Sequence, residues 1–185
     1  MPALPLLDPP LSDDEVTLRP WRDRDATALT ALCQNETIVR WTNVPAGYTE
    51  RMARARIQQA EADRQAGQAL ILAVVDADTD ELLGACDLRI AMNDSHHAEI
   101  AYMLDAAARG RGLMTRAVRL VSRWAIEELG MAQIEIFAHP KNLASIAVAE
   151  RAGFTRESLL RGYRVKEGRR EDRVALSLTA SGLWS

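Results

Sequence analysis

Apolar residues recur along this chain with two periods, and each change of period marks an element. Behind Asp23, placed where a helix cap belongs, Ala26, Leu29, Leu32 and Cys33 repeat at the spacing of one helix face. Residues 41–47 are irregular, with Pro45 and Gly47 as breakers. Thr49 then caps a strongly polar helix that runs to Gln65 and ends at Gly67. The compact apolar run 69–75 predicts a strand, the acidic stretch 76–80 a turn, and 82–90 the returning strand of a hairpin. After a turn at Asn93-Asp94-Ser95, residues 99–104 predict a third strand. Helical spacing resumes from Arg109-Gly110-Arg111-Gly112 through Leu129, with Gly130 where a C′ glycine belongs. Residues 133–138 alternate as a strand, and Asn142 opens a helix ending at Ala152-Gly153. Two last strands, 154–165 and 169–178, flank the Glu167-Gly168 turn.

Strands and helices therefore mix without regular βαβ alternation. That order predicts an α+β fold in three layers, a mixed and mostly antiparallel sheet flanked by helices. With 185 residues, 48% of them hydrophobic, one domain accommodates residues 16–185. Residues 1–15 stand apart as a flexible Pro/Asp-rich arm, holding four of the seven prolines and a short acidic cluster, after which Val16–Trp21 predicts a strand.

Charge and cysteine content narrow the class. A net charge of −3 gives no electrostatic footprint for nucleic acid. Cys33 and Cys86 lie in apolar company with no metal-ligand spacing, so the expectation is two reduced thiols and no metal. Neither a secretory leader nor an apolar run of about 20 residues is evident, which predicts a soluble cytoplasmic protein.

The informative chemistry lies where a strand, a glycine loop and a helix start follow one another between Glu99 and Thr115. A helix start leaves about four N–H groups unpaired and carries partial positive charge, and glycines let a ligand come close to them. Such a nest suits a pyrophosphate. The loop lacks the Gly-Lys-Ser/Thr of a Walker motif and the full dinucleotide fingerprint. About thirty residues downstream stands His139-Pro-Lys-Asn-Leu-Ala-Ser145, continuing to Gly153-Phe154.

These two segments together resemble the GNAT N-acetyltransferase superfamily, in its ribosomal-protein alanine acetyltransferase (RimJ/RimL-like) branch. The resemblance extends over residues 16–178 and implies a GNAT-like sheet with a splayed central strand at the acyl-CoA site. It assigns the diphosphate of acetyl-CoA to the segment Arg109, Gly110, Arg111, Gly112, Leu113, Met114 and Thr115. It gives Tyr102, Met103 and Leu104 to the pantetheine and the thioester carbonyl, and Asn142 and Ser145 to the pantetheine arm and the sulfur. One position departs from the family pattern [Q/R]-x-x-G-x-[G/A]. Met114 fills its last, small place, where it either crowds the diphosphate or points away.

The reaction so implied is attack of an amine on a thioester, which needs a base for the ammonium and an acid for the thiolate. Glu99 is the candidate base, directly or through water, and it equally fits a salt-bridged strand-end carboxylate. His96 and His97, read as loop residues, offer a relay. Ser145 is the candidate acid, and equally fits a helix serine bonded to a carbonyl. Trp41, Tyr48 and Tyr163 fall in segments that family architecture gives to the acceptor, and each also suits packing. The arginine sets 116/119/123 and 156–173 read as solvated faces, or as contacts for the adenosine phosphate, an acidic protein or RNA. The expected activity is acetyl transfer to a primary amine, a protein or peptide N-terminal α-amine being favoured by the branch. A small-molecule or antibiotic acetyltransferase, a succinyl-CoA-using relative and a non-catalytic acyl-CoA-binding module are the alternatives, and a homodimer is expected from the family.

Overall fold

The computed structural model describes residues 2–181. Strands β1 (Leu11–Ser12) and β2 (Val16–Pro20) lead through a 3-10 turn (Asp23–Asp25) into helices α1 (Ala26–Gln34), α2 (Glu36–Trp41) and α3 (Glu50–Gln65). Three consecutive strands follow, β3 (Ala69–Asp76), β4 (Leu82–Ala91) and β5 (Asp94–Leu104). Helix α4 (Leu113–Glu127), strand β6 (Gln133–Ala138), helix α5 (Leu143–Arg151) and the hairpin β7 (Thr155–Lys166) and β8 (Arg169–Thr179) complete the chain. One sheet joins all eight strands in the order β1-β2-β3-β4-β5-β6-β8-β7. Every contact is antiparallel except β5 with β6.

Each face of the sheet has its own core. Leu70, Leu72 and Val74 of β3 point to the face covered by α4 and α5, where Leu113, Met114, Val118, Val121 and Ile146 are buried. Ile71, Ala73 and Val75 point to the opposite face and meet Leu29, Cys33, Ala53 and Ile57 of α1 and α3. A strand covered on both faces has no polar side to show, which is why residues 69–75 read as an unbroken apolar run.

Several local expectations change in the folded chain. Asp23 caps no helix with its side chain. It is Asp25 that is buried, accepting from the Arg19 guanidinium at 2.8 and 3.0 Å and from the Arg22 N–H at 2.8 Å. Residues 36–41 form α2, capped by the Asn35 side chain, so the irregular stretch starts only after Trp41. The hairpin turn falls at Met92-Asn93, and β5 already begins at Asp94. His96 and His97 are therefore strand residues, since the His96 carbonyl accepts from the Ala132 N–H at 2.8 Å. The N-terminal arm is extended, as its prolines dictate, yet it lies against the body. Leu7 is buried, the Leu4 N–H donates to the Arg64 carbonyl, and Asp13 pairs with Arg116.

Candidate active site

The parallel contact is short. β5 pairs with β6 only from His97–Glu99 to Gln133–Glu135. Beyond that point β5 stays with β4 as far as Leu104, while β6 stays with β8 as far as Ala138. Two strands held by different neighbours diverge, and a slit opens between residues 100–104 and 136–138. Alternation tells which main-chain groups line it. Asp105 donates to the Leu83 carbonyl on the β4 side, so odd residues of β5 face β4 and even residues face β6. Tyr102 and Leu104 thus turn their main-chain groups toward the slit.

At the end of the slit the chain makes a 3-10 turn (Ala106–Ala108), passes Arg109–Gly112 and enters α4. Gly110 and Gly112 take φ of +80° and +78°, a left-handed backbone that suits glycine. A Cβ at either would meet nothing within 4 Å, so the loop is open to a ligand over the unpaired N–H groups of the helix start. The Met114 side chain is buried in the core beneath α4 and points away from this loop. Arg109 directs its guanidinium back to the Leu104 carbonyl, at 3.2 Å from Nη2. Alongside, a groove of about 710 Å³ is lined by Arg111, Thr115, Arg116, Arg119, Arg123 and Arg151, among others. Arg116 there holds Asp13 at 3.0 Å, and Arg111 lies 3.9 Å from Glu15.

Across the slit Asn142 caps α5 by accepting from the Ser145 N–H at 3.3 Å. Ser145 meets Tyr102 twice. The phenol donates to the Ser145 carbonyl at 2.7 Å and accepts from the Ser145 hydroxyl at 3.1 Å. Burial raises the Tyr102 phenol well above its ordinary pKa, against a smaller opposing effect of the Ser145 bond, so it stays protonated.

The acetyltransferase (GNAT) domain model matches residues 15–155. The chain belongs to the GNAT acetyltransferases. Probable N-acetyltransferase YjcK of Bacillus subtilis is 35% identical over 132 residues, 71% of this chain and 73% of that protein. The [ribosomal protein uS5]-alanine N-acetyltransferase of Escherichia coli is 25% identical over 91% of this chain and 90% of its own length. Among solved structures, the microcin C7 self-immunity acetyltransferase MccE, in complex with acetyl-CoA and AMP, superposes with a TM-score of 0.82 at 25% identity, covering 90% of this chain and 93% of that one. This GNAT chain is an N-acetyltransferase, and the sequence expectation of family, fold and enzyme class holds.

The second face of the slit in this GNAT sheet carries different chemistry. Ile134 and Ile136 of β6 point to the α4 side, so Glu135 and Phe137 point to the other, as Glu99 does on β5. Glu99 and Glu135 stand opposite in register. The Arg164 guanidinium lies 3.3 Å from Glu99, and His97 Nε2 lies 2.9 Å from Glu135. Strand β7 bulges over residues 161–163, with Gly162 at φ +57° and its N–H bonded to Asp172. Within this bulge Tyr163 stacks on Phe137 with ring centroids 4.9 Å apart. Partial burial raises the Tyr163 phenol pKa, helped by the charges of Glu99 and Glu135. Trp41, at the end of α2, packs on His139 at 5.2 Å and lies under the Arg40 guanidinium. Burial lowers the His139 pKa, so its ring is neutral at pH 7. Lys166 of β7 donates to the Val39 and Arg40 carbonyls at 2.5 and 2.7 Å, tying α2 to the hairpin.

Of the residues singled out in the sequence, Tyr102, Leu104, Asn142 and Ser145 stand along the slit, and Arg109–Thr115 form the loop and helix start at its end. The side chains of Met103, Leu113 and Met114 are buried in the cores. Glu99 and Tyr163 meet on the second face, and Trp41 stands with His139 at the end of β6. Tyr48 does not join them. It is 5% exposed and packed in the core beneath α1 and α3, with Cys33 and Arg56 near its hydroxyl. Sequence reasoning missed Glu135, Phe137 and Lys166. The alternation of QIEIFA does place Glu135 and Phe137 on one face, but nothing local says that this face is left open beside β5.

Proposed function

We propose that this enzyme transfers acetyl from acetyl-CoA to the α-amine of a protein or peptide N-terminus by direct attack within a ternary complex. The observation that carries the reading is the slit between β5 and β6. It connects a phosphate-suited helix start on the α4/α5 side with a carboxylate-bearing, aromatic-walled face on the other. The helix-start N–H groups of residues 112–115 and the open space over Gly110 and Gly112 suit the diphosphate, and the arginines of the adjoining groove suit the nucleotide's phosphate. Bound there, acetyl-CoA supplies the activated acyl carbon.

Asn142 and the main chain of Tyr102 and Leu104 orient the pantetheine, and main-chain N–H groups of β5 polarise the carbonyl. Glu99 takes one proton from the acceptor's ammonium, directly or through water, and the neutral amine then attacks. The C–N bond forms as the C–S bond breaks, and the nitrogen's second proton passes through water to restore the hydroxyl that protonates the thiolate. Ser145, positioned by Tyr102, gives its proton to the departing thiolate. Phe137, Tyr163 and Trp41 wall the acceptor's entry. The uS5-alanine acetyltransferase relative supports the peptide α-amine as acceptor. We also propose a cytoplasmic setting and a homodimer, the latter open to sedimentation.

The deciding experiment is calorimetric titration with acetyl-CoA, succinyl-CoA and CoA, followed by mass-spectrometric acetylation of peptides with free Ala or Ser termini and of a panel of small amines. Micromolar acetyl-CoA binding with α-amine acetylation is the expected result. Exclusive acetylation of small amines would move the acceptor class, and no binding of any CoA species would end the reading.

A further inference from the structure

Gly84, in β4, occupies an unusual position. An added Cβ there would stand 2.2 Å from the Met103 carbonyl oxygen, and 3.1 Å from the Leu104 Cα. Both neighbours are backbone, so no rotamer change relieves the contact. Gly84 is opposite Leu104 in register, at the end of β5 where β6 has already left. Its φ is not in the left-handed region, so glycine is needed here for close approach and not for backbone freedom.

The Met103 carbonyl and the Leu104 N–H belong to one planar peptide unit. Its oxygen rests on Gly84, and its N–H points the other way, into the slit. The next carbonyl, that of Leu104, is gripped by the Arg109 guanidinium at 3.2 and 3.4 Å. The Asp105 N–H is then fixed by the Leu83 carbonyl at 2.8 Å. Three contacts thus immobilise a donor that has no partner strand.

We infer that Gly84 and the Arg109 guanidinium are positioning residues that aim the Leu104 N–H at the thioester carbonyl oxygen. The inference rests on the acetyl-CoA reading above and assigns Arg109 a task separate from phosphate binding. Any side chain at position 84 displaces the Met103 carbonyl by roughly 1 Å to regain van der Waals distance. The N–H at the other end of the same plane swings with it. A misplacement of that size is enough to cost on the order of 100-fold in turnover.

The test uses the whole protein loaded with acetyl-CoA carrying ¹³C at the carbonyl. In the wild type the carbonyl resonance moves downfield on binding, as hydrogen bonding polarises it. In Gly84→Ala that shift is lost, while the ³¹P shifts of the bound diphosphate and the CoA affinity stay within about threefold of wild type. Arg109→Met, which keeps the stem and removes the donors, loses at least half of the shift and serves if Gly84→Ala does not fold. A full downfield shift in Gly84→Ala, or in Arg109→Met where Gly84→Ala does not fold, overturns the inference. So does a wild-type complex that binds acetyl-CoA with no shift at all. Failure of the wild type to bind acetyl-CoA is a different result, and it removes the functional reading together with this one.

Discussion

A carboxylate in this chain takes its role from what stands beside it. Asp23 and Asp25 are two residues apart and look alike in sequence, yet only Asp25 is buried with its charge matched by Arg19. Without Asp25 the buried Arg19 guanidinium keeps Asp80, 2.7 Å from its Nε, and loses its two bonds to the buried carboxylate. Asp25→Asn is expected to cost about 2 kcal/mol, read as a lowered urea midpoint with unchanged m-value. Glu99 illustrates the opposite case, a half-buried carboxylate whose neighbours Arg164 and Glu135 come from distant segments. Glu99→Gln is expected to lower acetyl transfer by about 10²–10³-fold and to leave CoA affinity unchanged. A wild-type pH–rate profile in that variant would assign the base to another group. Ser145 was legible as a motif residue, but its hydroxyl bond to Tyr102 was not, because the two are 43 positions apart.

Elements here are built from local signals that mostly survive folding. Thr49 and Asn142 cap α3 and α5 through their side chains, as their placement before helical spacing implies. Gly112 is the N-cap of α4 and takes φ +78° with open space around it. Gly112→Ala and Gly112→Asp therefore share one backbone strain, roughly 1 kcal/mol, and differ in charge. The alanine variant is expected to keep CoA binding within about tenfold of wild type, and the aspartate variant to lose it at least a hundredfold, both by calorimetry. Equal affinity in the two would remove the diphosphate from this loop. Helix α2 escaped the sequence reading because six residues carry too little periodicity, and its last turn is completed by Lys166 from β7.

At the scale of the molecule, ion pairs lace the arm, the hairpins and the sheet together. Asp13, Asp25, Asp80 and Glu171 all have folded pKa values below their ordinary ones. In Asp13 and Asp25 hydrogen bonds and arginine charges outweigh burial, and in Asp80 and Glu171 arginine partners dominate. Between the folded and unfolded pKa of each group the unfolded chain holds more protons, so stability rises with pH there. These contributions are complete above about pH 4.5 and are lost as pH falls through the folded values. His139, also depressed, adds an earlier decline that begins as pH drops through about 6.5. Urea midpoints measured from pH 7 to pH 3 are expected to fall throughout, most steeply below pH 4.5. A midpoint that holds constant down to pH 3 would contradict this.

Sequence by itself determined the elements and their order, because periodicity, caps and turn glycines act over a few residues. It also carried the family, since the Arg109–Gly112 loop and the Asn142–Ser145 segment are contiguous strings. Only the tertiary structure decided where the sheet parts. That depends on β5 staying with β4 while β6 stays with β8, a competition among strands far apart in the chain. The same separation hid Glu135 opposite Glu99, Phe137 under Tyr163 and Gly84 beneath Met103. Their meaning lies in contacts across strands, and a pattern read along one strand holds no record of its neighbour.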